Sequence, residues 1–222
     1  MPTFWTPIYQ DHFQKYFQKP FDIQVYHAPE GFALKLATHD WAKQGFRVYA
    51  SMGLADVLFR NEEEEFGEVI LFCDVTDKEI PLLFVNALFF ILQRNIPLGS
   101  KFAIGFGEMN REFNQRYGKS ALYFSNPVDN DDETFNEVHK GETVGRVFQA
   151  YFITPLEQAF LEKQGADAFE LKFRVQFAGA LSAEDRCELL VDKSKAKQLE
   201  ARLNELAQQS NRALSVRRSS CV

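Results

Sequence analysis

A single α+β domain, built on a central mixed β-sheet flanked by helices and followed by a helical tail, is what this sequence predicts. Segments with a helical apolar period interleave irregularly with alternating ones, and neither an internal repeat nor a long linker divides them. The 222 residues suit one sizeable domain, assigned to residues 1–185, plus an appendage at 186–222. Phenylalanine is over-used: 23 Phe against seven Tyr and two Trp predict a core of large flat rings, with aromatic surface kept for a partner.

In chain order, Thr6-Pro7 offers an N-cap hydroxyl followed by Pro at the first helical position, and Ile8, Phe13, Tyr16 and Phe17 supply one apolar face, so a helix is predicted over 7–18. Pro20 ends it. Ile23 and Val25, then Phe32, Leu34 and Leu36, alternate around the turn Ala28-Pro29-Glu30-Gly31, which predicts a hairpin. Residues 46–50 are a third strand. Residues 67–75 (GEVILFCDV) are a fourth, whose continuous apolar centre predicts burial on both faces. The helix expected over 81–95 is apolar almost all round and should sit centrally against the sheet. Strands follow at 101–107 and 120–125, then an alternating one at 144–153. Thr154-Pro155 caps a helix through Glu162 that stops at Gly165. Phe169, Leu171, Phe173, Val175 and Phe177 fit period two, while Phe169, Phe173 and Phe177 also fit a helical row, so the pattern leaves 167–177 open. Leu199, Leu203 and Leu206 mark an amphipathic helix over 192–213, able to pack on the body or on a second copy as a homodimer contact.

Charge narrows the partners. The net charge is −6, of which residues 186–222 carry +4 (eight basic, four acidic), leaving −10 on residues 1–185. A body that acidic repels phosphate backbones and the tail is too sparsely basic for a footprint, so no nucleic acid is expected. No membrane contact is expected either: the longest apolar run, Leu82–Leu92, falls far short of the roughly 20 residues a bilayer crossing needs. The N-terminus has neither a basic n-region nor a cleavage site, and a cytoplasmic location follows as the expectation. Cys73, Cys187 and Cys221 are an odd number without a Cys-x-x-Cys pair, which points to reduced thiols rather than disulfides or thiolate zinc.

The sequence carries no complete catalytic motif of the familiar kinds. Gly118-Lys119-Ser120 has the ending of a phosphate loop, but Phe113 stands where its first glycine belongs. Gly105-Phe106-Gly107 lacks the third glycine of a dinucleotide fingerprint, and no Gly-x-Ser-x-Gly elbow occurs. His12, His27, His39 and His139 never fall at metal-binding spacing, so no metal and no cofactor is assigned. His39 and Asp40 are adjacent on a strand and should point to opposite faces. Cys73, between Phe72 and Asp74, reads as a small buried hydrophobe.

Two acidic runs carry functional content. Arg60 to Glu65 with Glu68 sum to −4, and Asp129 to Glu142 holds six acids against Lys140. Four consecutive glutamates repel one another and lack the glycine-turned spacing of a calcium loop. Glu62, Glu63, Glu64, Glu65, Asp129, Asp131, Asp132 and Glu133 are therefore candidates for steering a basic protein partner, weighed against plain solvated loops.

The order GEVILF (67–72), an apolar helix leading to RNIPLGSKFAIGFG (94–107), SALYFSNP (120–127) and VFQAYFITPLEQAFLEKQGADAF (147–169) resembles the Suppressor-of-fused (SUFU) domain family over roughly residues 40–180. The resemblance implies an α/β sandwich with a central mixed sheet and favours helix for part of 167–177. It implies an interaction protein: the eukaryotic member binds a transcription factor of the Hedgehog pathway, and short bacterial members have been proposed as immunity proteins that neutralise toxins. It carries over no catalytic residues. The chain has no room for the second large domain of the eukaryotic member, and its basic tail has no clear counterpart. The leading expectation is a non-enzymatic bacterial protein-interaction module, with immunity against a basic toxin as its finer form. The alternatives are an enzyme using carboxylates such as Asp74, Asp129 or Glu157, and a homo-oligomeric structural protein joined through 192–213.

Overall fold

The strand Gly67–Cys73 (β4) has no polar face to show to water except at Glu68, so it can lie only where helices cover both sides of a sheet. All seven of its residues are buried. A computed structural model describes residues 4–28, 31, 33–41, 46–60, 65–73, 75–106, 110–127 and 133–170. In it, β4 is flanked on one side by β3 (Phe46–Met52), β2 (Ala33–Trp41) and β1 (Asp22–His27), a meander of antiparallel pairs. On its other side lies β8 (Thr143–Ile153), followed by β6 (Ala121–Ser125) and β5 (Phe102–Gly105). The short β7 (Glu137–Lys140) also pairs with β8, at that strand's opening residues. The β4–β8 pair is parallel and the others are antiparallel, so the sheet is mixed, as the sequence predicts.

Helix α1 (Thr6–Phe17) packs on one face. Its buried stripe is Tyr9, His12, Phe13 and Phe17, continued N-terminally by Trp5, rather than the expected row containing Ile8 and Tyr16. Phe17 meets Phe72 of β4 edge-on, with centroids 5.7 Å apart. A second cluster of rings joins Phe106, Phe113 and Phe152. Offset and edge contacts of this kind stabilise by about 0.5–1.5 kcal/mol each beyond the area they bury.

The helix expected over 81–95 is α3 (Glu79–Arg94), ended by Asn95 in the left-handed region. It is not covered all round: Leu82 and Phe90 stay exposed on its outer side. The Thr154-Pro155 signal opens α6 (Pro155–Gln164) with a full capping box in which Thr154 and Glu157 bond each other's backbone amides. The Thr6-Pro7 signal works differently. Thr6 lies inside α1, Trp5 takes the cap position, and the Thr6 hydroxyl donates to Asp56.

Pattern reading misses α2 (Leu54–Arg60), α4 (Arg111–Tyr117), α5 (Glu133–Asn136) and β7, all of seven residues or fewer. Two turns or less give an apolar period too few repeats to register. Residues 166–170 are helical, which resolves the described part of the ambiguous segment. Residues 171–177 and the helix expected over 192–213 lie outside the described residues.

Candidate functional site

The two acidic runs are separated by more than sixty positions, yet the described residues that border them converge on Arg146. From one side, the Arg146 amide donates to the carbonyl of Phe66, which follows Glu65. From the other, Arg146 faces Glu137 across the β7–β8 ladder, just after α5 begins at Glu133. The backbones approach so closely at this end that Gly67 admits no side chain, while at Gly99 the close neighbour is the movable end of Glu65. A Cβ on Gly67 would lie 1.8 Å from the Arg146 carbonyl oxygen, and one on Gly99 would lie 1.4 Å from Glu65 Oε2.

Glu65 is not a free charge at this end. Its Oε1 lies 3.2 Å from Arg146 Nη1, and both side chains are close to half exposed. An exposed pair of this kind adds at most about 1 kcal/mol. Glu62, Glu63, Glu64, Asp129, Asp131 and Asp132 lie outside the described residues. Glu133 opens α5, and Glu137 sits 3.4 Å from His139 Nε2.

Buried carboxylates elsewhere are consumed by the fold. Glu68 accepts from the Ser51 hydroxyl and from the amides of Gly53, Leu54 and Ala55 at the start of α2, so it serves as that helix's N-terminal anion. Full burial pushes its pKa up to about 7, against the pull of those four donors. Asp56, on α2, accepts from the amides of Trp5 and Thr6 at the start of α1. Thus β4 holds α2, and α2 holds α1. Asp77 takes the Glu79 amide, the Tyr117 hydroxyl and the Arg116 guanidinium. Glu170 gathers Lys101 Nζ at 2.7 Å, the Tyr123 hydroxyl at 3.0 Å and the Ser125 hydroxyl.

The groups weighed for catalysis are placed apart. Glu157 is spent in its capping box, Cys73 is buried on β4, and His39 bonds the Gln18 carbonyl through Nδ1, while Asp40 pairs with Arg47. Asp74 and Asp129 lie outside the described residues. Among the described residues, no three His, Cys, Asp or Glu side chains gather in a way that could hold a metal, and no helix is long and apolar enough to cross a membrane.

Two apolar surface features escaped the pattern reading because both depend on which strands end the sheet. Edge strand β1 exposes Ile23 and Val25 on one side, next to exposed Phe21, while Asp22, Gln24 and Tyr26 form a hydrogen-bonded polar ladder on the other. The other is a groove of about 570 Å³ walled by Leu83, Ala87 and Phe90 of α3 and by Ile104 and Phe106, with Ala28, just after β1, also lining it.

No protein-family model matches the sequence, and no curated protein matches it. Solved structures do match in shape. A SUFU (suppressor of fused protein) homolog from Neisseria gonorrhoeae FA 1090 superposes with a TM-score of 0.58 at 15% identity, over 77% of this chain and 89% of that one. A chain of the Sufu–Fu complex gives a TM-score of 0.55 at 11% identity, covering 86% and 90% respectively. The order of strands and helices described above is therefore the suppressor-of-fused fold.

Proposed function

We propose that this chain is a non-enzymatic protein-interaction module that receives a basic protein partner at the acidic end of its sheet. One observation carries the reading: residues bordering two acidic runs, distant in sequence, meet on either side of Arg146. Acidic runs entering and leaving near one point would concentrate negative potential there, which speeds capture of a positively charged surface more than it deepens affinity. The solved Sufu–Fu complex, whose fold this chain shares, supports a protein as the kind of partner. In the finer form, the partner is a basic toxin whose cleft the module masks, and residues 1–185 act as the binding unit with 186–222 as an appended tail.

Affinity capture with the wild-type chain and with a Glu62→Lys, Glu63→Lys, Glu64→Lys variant tests this, because Glu65 and its ion pair are left in place. A basic protein retained by the wild type and lost from the variant at low salt is expected. Equal retention by both, or turnover of a small molecule by the purified chain, overturns the proposal.

A further inference from the structure

Helix α1 ends on a residue that the fold holds in an unfavourable shape. Gln18, which follows Phe17, has φ of 65° and ψ of −171°, a backbone region that belongs essentially to glycine. Its carbonyl is held by His39 of β2, whose Nδ1 lies 3.0 Å away. A carbonyl only accepts, so in the neutral ring Nδ1 carries the proton and Nε2 the lone pair. His39 is 2% exposed and its ring lies 5.9 Å from that of Phe17. Among the described residues Nε2 has no hydrogen-bond partner.

The described residues around the ring place no acid against it. Across the ladder from His39 stands Val48, and beyond that Phe72. Asp40 and Arg47 form the next rung, point to the opposite face and bond each other. Asp22 of β1 and Tyr49 of β3 pair with Thr38, which also faces away. On the same face, Glu68 of β4 is taken up by Ser51 and the start of α2. Asp11 and Lys15 of α1, Lys19 and Lys35 are exposed, while His12 bonds the Phe135 carbonyl. Burial accordingly lowers the His39 pKa, against the opposing pull of the Gln18 carbonyl.

We propose that His39 is an acid-released latch on the C-terminal end of α1. A proton arriving at Nε2 creates a buried imidazolium with an N–H that has no acceptor. The ring reaches water only by turning out of its site, which takes Nδ1 away from the Gln18 carbonyl. Gln18 then relaxes from its strained backbone, and the last turn of α1 comes free. The other end of the helix keeps its hold, because Asp56 accepts from the amides of Trp5 and Thr6.

Amide hydrogen exchange on the full-length chain, from about pH 7.5 to about pH 5, tests the proposal when read as protection relative to free peptide at each pH. The folded pKa of His39 lies below its ordinary 6.5, so the opened state binds the proton more readily and opening grows as pH falls below that value. Protection of the Tyr16 and Phe17 amides should drop by up to about tenfold per pH unit below 6.5, while Val69 to Leu71 keep theirs. His39→Gln, which offers a donor to the Gln18 carbonyl but does not titrate, should abolish that drop. Gln18→Gly, which relieves the strain, should raise protection of the same two amides at every pH. In the wild-type chain the His39 ring resonances should show the proton on Nδ1 at neutral pH and titrate together with the loss of protection, a readout that stands even if His39→Gln does not fold. Constant protection in the wild type overturns the proposal, as does a ring that titrates without it. A drop that survives in His39→Gln assigns the effect to another group such as His12, a drop shared by Val69 to Leu71 means general acid unfolding, and a Gln18→Gly chain no better protected means no stored strain; each overturns it too.

Discussion

Buried and exposed carboxylates do opposite things in this molecule, although both kinds are glutamates and aspartates close together in sequence. Glu68 is fully buried and accepts four hydrogen bonds, at the heart of a chain of contacts in which β4 holds α2 and α2 holds α1. Glu65, three residues earlier, is 40% exposed and pairs with Arg146. The difference teaches that the count of oriented donors around an acid, not its residue type, separates a structural group from one left over for a partner.

Glu68→Ala should break that distinction most severely. It leaves a buried hydroxyl and three amides without their acceptor, at an expected loss of about 3–5 kcal/mol in chemical denaturation. The pH dependence comes next in size. Its folded pKa of about 7 stands above its ordinary value of 4.5, so between these values the native state binds more protons than the unfolded one. The Glu68 contribution to stability is therefore greatest below pH 4.5 and falls by about 3 kcal/mol as pH rises through 7. Subtracting the stability–pH curve of Glu68→Gln from that of the wild type should leave this falling slope; a flat or rising difference would refute it.

Asp56→Ala should cost about 1–2 kcal/mol, the usual range for a lost helix cap, read as a shift in denaturation midpoint with unchanged slope. Smallest in stability, Glu62→Lys with Glu63→Lys and Glu64→Lys should change it by no more than about 0.5 kcal/mol while slowing association with a basic partner. A large loss of stability from that reversal would erase the contrast between the two kinds of acid.

Much of the sheet was legible because its strands carry strong patterns: the unbroken apolar run of β4 and the hairpin turn between β1 and β2; β8 was found as a strand, but its last seven residues are all buried rather than alternating. The capping box at Thr154 was legible because its two partners are three residues apart. The cap on α1 was not, because Asp56 lies 50 residues from Thr6 and nothing local marks the pairing. Glu68 was counted among the acids of a solvated loop, although it enters β4 and is buried, since a charge count along the chain does not see which acid lies beneath a helix terminus. The meeting of Phe66, Gly67 and Glu137 at Arg146 was equally hidden, as it arises from the parallel β4–β8 pair and the β7–β8 ladder, which join distant segments.

By itself the amino-acid order determined the class of fold, the central buried strand, the long helix over α3 and the acidic character of the body. These follow from interactions between residues within a few positions of one another, where period and capping chemistry act. Strand order, the groove beside β5, the exposed edge of β1 and the fate of the described carboxylates were decided only in three dimensions. They depend on which distant segments exclude water from one another, and burial is a property of the packed molecule rather than of any stretch of chain.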